Sequence, residues 1–401
     1  MLEKLVQSTF RNRPILFHLP GGHTVRGAAS GEPEITVTVH DLKTALRIVS
    51  NPELGLGEAY MDGGLTFEGG DIHDFLDLAA SEVISRPRKP MEATWRLKRW
   101  LDQTNDRLSS RRNVAHHYDL SVDFYRLFLD EDLQYSCAYF PTPDASLETA
   151  QVAKKHLLAT KLGLVPGDRV LDIGCGWGGL GLTLAEMGGQ VTGVTLSSEQ
   201  HALATRRAHE RGLAARAEFR LQDYRDLNEQ FDRIVSVGMF EHVGTPNYQA
   251  YFDGIARLLK DDGVAVVHSI GRRGPPSRTQ PWIAKHIFPG GYIPSLSEVL
   301  PAIERSGLWV TDMEVLRLHY AETLKAWRTR FLARRAEVVA LYDERLFRMF
   351  DFYLASSEIG FRRMGHMVFQ LQLTRRQDAA PLTRDYLMPA MVGRLPEAVA
   401  A

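Results

Sequence analysis

The sequence predicts an α/β protein with a doubly wound, mostly parallel sheet, preceded by a small α+β module. Three observations predict it. From about residue 150, short apolar runs near 168–173, 190–195, 216–221, 232–238 and 263–270 alternate with helical segments. The first run, Val170-Leu-Asp-Ile173, feeds directly into Gly174-Cys-Gly-Trp-Gly-Gly179, which reads as a strand, a glycine turn and the start of a helix. Ahead of this region, residues 1–84 alternate short strands with capped helices.

Within residues 1–84, Pro14-Ile-Leu-Phe-His-Leu19 and His23-Thr-Val-Arg26 flank a Pro-Gly-Gly turn and predict a hairpin. Glu34-Ile-Thr-Val-Thr-Val39 alternates as a third strand. Asp41 then caps a helix through Ile48, and after Gly-rich turns Asp71 caps Ile72–Ala80. Residues 85–112 form a linker rich in Pro and Arg, and residues 113–401 form the larger domain. Its parallel strands place Asp172, Asp223 with Tyr224, Glu241 and His268 at or near strand carboxyl ends, where ligands collect in such sheets. The C-terminal part, 320–380, reads as helical and Arg-rich.

Composition bounds the chemistry. The chain of 401 residues, 44% hydrophobic and 24% charged, has length enough for two domains with buried cores. No apolar run reaches a membrane span and Met1-Leu-Glu-Lys lacks a secretory start, so a cytoplasmic protein is expected. Two cysteines, Cys137 and Cys175, are too few for a disulfide framework, and no histidine spacing suits a metal, so free thiols and no metal are expected. The net charge of −1 hides a basic segment: residues 85–112 hold nine Lys and Arg against three acids. Its Trp95-Arg-Leu-Lys-Arg-Trp-Leu101 fits either an interfacial helix on an anionic membrane or a linker helix whose tryptophans pack on a neighbouring domain.

Gly174, Gly176 and Gly179 satisfy the dinucleotide spacing, in which missing side chains allow a tight turn and close ligand approach. The acid expected about twenty residues on is missing, since Thr195-Leu-Ser-Ser-Glu-Gln200 offers hydroxyls, Glu199 and Gln200 instead. Asp172 supplies what the motif adds, a carboxylate at the strand end that suits a cationic amino group. S-adenosylmethionine carries one, and the pyrophosphate of NAD does not. The plain alternative is a glycine turn in an ordinary βα unit without ligand.

Further motifs sharpen this reading: His117-Tyr-Asp-Leu-Ser121, Phe128-Leu-Asp130, Tyr135-Ser-Cys-Ala-Tyr-Phe140, Gly193-Val-Thr-Leu-Ser197, Phe240-Glu-His-Val-Gly244, Val267-His-Ser-Ile-Gly271 and Phe288-Pro-Gly-Gly291. Together with the glycine motif they resemble the S-adenosylmethionine-dependent cyclopropane-fatty-acid and mycolic acid cyclopropane synthases over most of the chain. The resemblance implies a seven-stranded, Rossmann-like methyltransferase sheet and an N-terminal domain, with Gly57-Glu-Ala-Tyr-Met-Asp-Gly63, like that of the members acting on phospholipids. It implies methylene transfer to the cis double bond of a membrane phospholipid acyl chain, through a carbocation deprotonated by bound bicarbonate. By the same resemblance, Tyr135, Ser136, Asp172, Gly174, Gly176, Thr195, Gln200, Asp223 and Tyr224 contact S-adenosylmethionine. Tyr224 departs from the Trp common in the mycolate enzymes. The bicarbonate site comprises the Cys137 and Ile270 amides, Glu241, His268 and Tyr320, with Glu241 paired through His268, Tyr320 or a shared proton. Tyr118, with Tyr139 or Phe140, is expected to stabilise the cation through its ring.

The same motifs serve a C-methyltransferase that yields methyl-branched or methylene products without ring closure. A lipid-binding protein without turnover has no need of an anion site beside a sulfonium. The expected partners are phospholipid acyl chains, an anionic membrane surface at the periphery and a second copy as homodimer, with no nucleic acid. The N-terminal domain is left to lipid binding, dimerisation or both.

Overall fold

In a computed structural model, residues 2–27, 29–84 and 120–391 are described. The basic segment 85–112, His117 and Tyr118 lie outside the described residues. The N-terminal module opens on α1 (Leu2–Thr9), followed by β1 (Ile15–Leu19), β2 (His23–Arg26) and β3 (Ile35–Val39). After α2 (Leu42–Ser50) and α3 (Pro52–Met61), β4 (Leu65–Glu68) and α4 (Ile72–Ile84) complete it. Its sheet runs β2-β1-β3-β4, with β1 and β2 as the expected hairpin and β1 parallel to β3. Asp41 caps α2 by accepting from the Thr44 N–H at 2.7 Å.

The larger domain begins with α5 (Val122–Arg126) and α6 (Leu147–Leu162), the latter capped by Ser146 and ended by Gly163 in the left-handed region. Then follow β5 (Arg169–Ile173), α7 (Gly179–Glu186), β6 (Gln190–Thr195), α8 (Ser198–Glu210), β7 (Ala217–Leu221) and β8 (Phe231–Val237). The chain continues through α9 (Tyr248–Leu258), β9 (Leu259–Arg272), α10 (Pro281–His286), α11 (Leu296–Arg305) and β10 (Trp309–Leu316). It ends with α12 (His319–Ala333), α13 (Arg335–Leu341), α14 (Glu344–Arg362), β11 (His366–Thr374) and α15 (Met388–Met391).

The seven strands are ordered β10-β11-β9-β8-β5-β6-β7, parallel from β9 through β7 and antiparallel at β11 and β10. Alternation along each strand sends residues to opposite faces. Val170, Val191, Val235 and Val266 pack with α6, α7 and α8, whereas Leu171, Ile234, Val267 and Phe369 pack with α9 and α11. Helices therefore cover both faces, which is why β5 is apolar on both sides. A third core joins the N-terminal module to α5, α12, α13 and α14.

Two sequence expectations change, and two short elements are added to those expected. Residues 366–374 are not helical but form β11, inserted between β9 and β10, because the run Met-Val-Phe-Gln-Leu-Gln-Leu is buried from both faces. Residues 52–61 are a helix rather than glycine turns. Gly55 and Gly57 serve close packing there: an added Cβ at Gly57 would overlap the Trp282 indole of α10. Finally, α1 and β4 went unread because both are short.

Candidate functional site

The site grows from the β5 carboxyl end. Gly174, Gly176 and Gly178 adopt φ of 78°, 54° and 83°, a region that favours glycine. Gly178 also leaves no room for a side chain, since a Cβ would meet Ala204 at 2.8 Å. The loop wraps a cavity of about 230 Å³, and all nine residues expected at the cofactor line it: Tyr135, Ser136, Asp172, Gly174, Gly176, Thr195, Gln200, Asp223 and Tyr224. It lies between β5 and β8, where the strand order reverses.

Asp172 is a buried acid in the wall of this cavity, which Asp223 and Arg225 also line. Its Oδ2 is buried without a hydrogen-bond partner among the described residues. Burial pushes its pKa up to about 7, while the Lys154 ammonium and the Gly181 backbone N–H pull it down. A buried carboxylate oxygen without a donor, at the edge of a side-chain-free turn, fits a cationic amino group such as that of S-adenosylmethionine. Thr195 donates to Gln200 Oε1 at 2.7 Å, fixing two polar side chains on one wall. Asp223 caps the turn at Tyr224–Asp226 and is forked by Arg225, with Nη2 to Oδ2 at 2.6 Å.

A second cavity, about 430 Å³, abuts the first and shares Tyr135, Ser136, Gly238 and His242 with it. Cys137, Glu241, His268, Ile270 and Tyr320, the five residues expected around an anion, all line it. Its remaining wall is largely apolar, with Leu76, Ile283, Leu324, Phe352 and Phe361. Pro52, Glu53, Leu56 and Leu76 come from the N-terminal module, so both domains build it.

The hydrogen bonds within this set differ from those expected. Glu241 Oε1 accepts from the Ile270 N–H at 2.7 Å, so that amide is already engaged. A buried carboxylate needs donors, and the nearest backbone N–H meets the demand. His268 does not pair with Glu241; its Nδ1 lies 3.0 Å from Gln370 Nε2. Glu241 Oε2 has no partner among the described residues, and burial raises its pKa to about 7 against the pull of the Ile270 N–H. A carboxyl poised near neutrality carries a proton that it can donate to a bound anion, so the set fits bicarbonate. Burial raises the Cys137 thiol, leaving it an inert neutral group whose Sγ faces the Ala138 carbonyl at 3.2 Å. Tyr139 and Phe140 stack on His319, at 4.8 and 6.3 Å, and line neither cavity.

The shared wall, residues 134–137, is held from α6. Gln151 Nε2 donates to the carbonyls of Gln134 and Ser136 at 3.2 and 3.0 Å. Lys154, fully buried, donates to Gln134 Oε1 and to Ser136 Oγ at 3.0 Å. Burial lowers this ammonium to about 8 against the attraction of Asp130 and Asp132. Sequence reasoning missed Gln151, Lys154, His242, Gly238 and Trp177. Lys154 had a signal: it shares a helix face with Leu147, Ala150, Leu157 and Leu158, where a lysine is out of place. His242 had none beyond adjacency to Glu241; burial lowers its pKa to about 4, so it is neutral.

The strand order, the glycine turn with its buried acid, and the cavity at the switch point define the class of S-adenosylmethionine-dependent methyltransferases. Comparison with known proteins narrows it. Residues 105–371 match the family profile of mycolic acid cyclopropane synthetase, and residues 1–87 match a domain of unknown function. The cyclopropane-fatty-acyl-phospholipid synthase of Escherichia coli is 39% identical over 356 residues, covering 87% of this chain and 90% of that one. A tuberculostearic acid methyltransferase of Mycobacterium tuberculosis is 37% identical over 391 residues, covering 93% and 90%. A mycolic acid cyclopropane synthase solved with SAH and CTAB superposes with a TM-score of 0.62 at 37% identity, over 66% of this chain and 97% of that one. The chain belongs to the mycolic acid cyclopropane synthetase family.

Proposed function

We propose that this enzyme transfers a methylene group from S-adenosylmethionine to the cis double bond of an unsaturated phospholipid acyl chain, forming a cyclopropane. The observation that carries this reading is the pair of abutting cavities: a smaller one with Asp172 in its wall, and a larger, more apolar one with Glu241 and His268 in its lining. The Escherichia coli relative named for that reaction supports it over nearly its whole length. An isolated alkene is a weak nucleophile, so alkene and methyl donor must be held together away from water.

S-adenosylmethionine supplies an electrophilic methyl group and bicarbonate a base; the other contributions come from the protein. Asp172 holds the amino group of the donor, and the glycine turn admits its backbone closely. Tyr135 and Ser136, common to both cavities, set the donor against the acceptor. The apolar wall with Leu76, Leu324 and Phe352 takes the acyl chain and excludes the water that would capture a cation. Glu241, through a protonated Oε2, and His268 together with the Cys137 amide hold the anion that removes the proton. Residues 1–84 act as lipid-binding or dimerisation domain, and the basic segment 85–112 makes peripheral contact with anionic lipid. Among the described residues no helix is long and apolar enough to cross a membrane.

The 37% identity to a tuberculostearic acid methyltransferase keeps one alternative, C-methylation without ring closure. Mass spectrometry of acyl chains after incubating the protein, S-adenosylmethionine and bicarbonate with cis-unsaturated phospholipid vesicles tests both. A gain of about 14 mass units, one CH₂, in a product resistant to mild hydrogenation is expected. A reducible product of equal mass selects the alternative, and no product removes the reading.

A further inference from the structure

His268, Gln370 and Glu314 form a cross-strand row over β9, β11 and β10: Gln370 is the register partner of His268 on one side and of Glu314 on the other. Lys161 of α6 lies against this row, its Nζ donating to Gln370 Oε1 at 2.7 Å and pairing with Glu314. His268, Gln370 and Lys161 are each no more than 2% exposed. Such a row of buried polar groups carries a desolvation penalty that packing alone does not explain.

Donor chemistry determines the direction of every bond in the row. An ammonium only donates, so Gln370 must turn its carbonyl oxygen to Lys161. Its amide nitrogen then faces His268 Nδ1 at 3.0 Å, and that nitrogen also only donates. His268 Nδ1 is therefore the acceptor, and the ring proton sits on Nε2. The ring lines the larger cavity, so any hydrogen bond it makes to a group there is donated from Nε2. Burial and the charges of Lys154 and Lys161 lower its pKa well below the ordinary value, in keeping with a neutral ring.

We infer that Lys161 and Gln370 are positioning residues that lock His268 as the Nε2–H tautomer, making it a donor to negative charge in the cavity and barring it from acting as a base. Nε2 already holds a proton, and Nδ1 is covered by an N–H that cannot move aside without losing Lys161. The tautomer follows from the geometry of the row. The anion it serves rests on the function proposed above.

The test is nitrogen-15 NMR of histidine-labelled protein, with His268→Gln to assign the signal. Wild-type His268 should show an unprotonated Nδ1 and a protonated Nε2. In Gln370→Glu the new carboxylate accepts from Nδ1, so the spectrum should switch to an Nδ1-protonated ring. Turnover should fall by about 10²-fold while affinity for SAH by calorimetry stays within about twofold. Gln370→Met and Lys161→Met, which remove the lock without a new acceptor, should give mixed tautomers. A wild-type ring protonated at Nδ1 overturns the inference, as does a Gln370→Glu enzyme with unchanged tautomer and turnover. If wild type makes no lipid product yet shows the Nε2–H ring, the proposed function fails and the lock stands.

Discussion

At the residue scale, two buried carboxyls govern the site, and both titrate near neutrality. Because Asp172 has a pKa of about 7, a cationic ligand must displace its proton at lower pH. The Kd for SAH should therefore rise about tenfold per pH unit below that value, and calorimetry across pH checks it. A flat profile would contradict the contact. The sign for stability is opposite: the folded state holds the proton more tightly than the unfolded one, so this contribution is lost as pH rises from about 4 through about 7. Asp172→Asn should thus raise the unfolding free energy above neutral pH, by on the order of 1–3 kcal/mol, while weakening SAH binding. Glu241→Gln should keep SAH affinity and lose about 10²-fold or more in turnover, the size expected for a positioned proton-transfer group. Both acids were legible because they sit beside recognisable motifs. Their hydrogen bonds were not: the claim of the Ile270 amide on Glu241 depends on how β9 passes the Phe240–His242 turn.

At the element scale, α6 underpins both cavities. Its Gln151 and Lys154 hold residues 134–137, and its Lys161 holds Gln370. Lys154→Met should leave Gln134 Oε1 and Ser136 Oγ without the ammonium donor and Asp172 without the nearby cation that favours its ionised form. We expect SAH affinity to fall about tenfold or more, with Lys154→Arg recovering part of it. Unaltered affinity in the Met variant would show that the loop holds without the ammonium. The glycine loop and the strand ends were legible, since period and turn chemistry are local. A strand such as β11 was not, because its apolar run is equally compatible with a buried helix until its neighbours are known.

At the scale of the whole molecule, the N-terminal module is joined to α10, α12 and α14 by polar pairs around an apolar contact. Arg328 of α12 bridges Asp351 and Asp71 at 2.7 Å each, and Tyr60 donates to Asp351 at 2.6 Å. Removing Arg328 leaves Asp351, 3% exposed, with the Tyr60 hydroxyl but no cation. Arg328→Met should therefore lower stability by about 3–5 kcal/mol, read by chemical unfolding. Since Pro52, Glu53, Leu56 and Leu76 line the larger cavity, KM for lipid should rise with little change in SAH affinity. An unchanged KM would place the module outside the substrate path.

By itself the sequence determined the βα alternation, the glycine turn and the strand-end acids, because each rests on local periodicity or on a short motif; the two residue sets came from the family resemblance. Only the tertiary structure decided that the two sets form abutting cavities with Tyr135 and Ser136 in common. It also brought the N-terminal module to the wall of one cavity, and buried Lys154 and Lys161 beneath the site. These are contacts between residues from 15 to more than 200 positions apart, and the hydrogen-bond partners of a buried polar group are set by which strands and helices pack together.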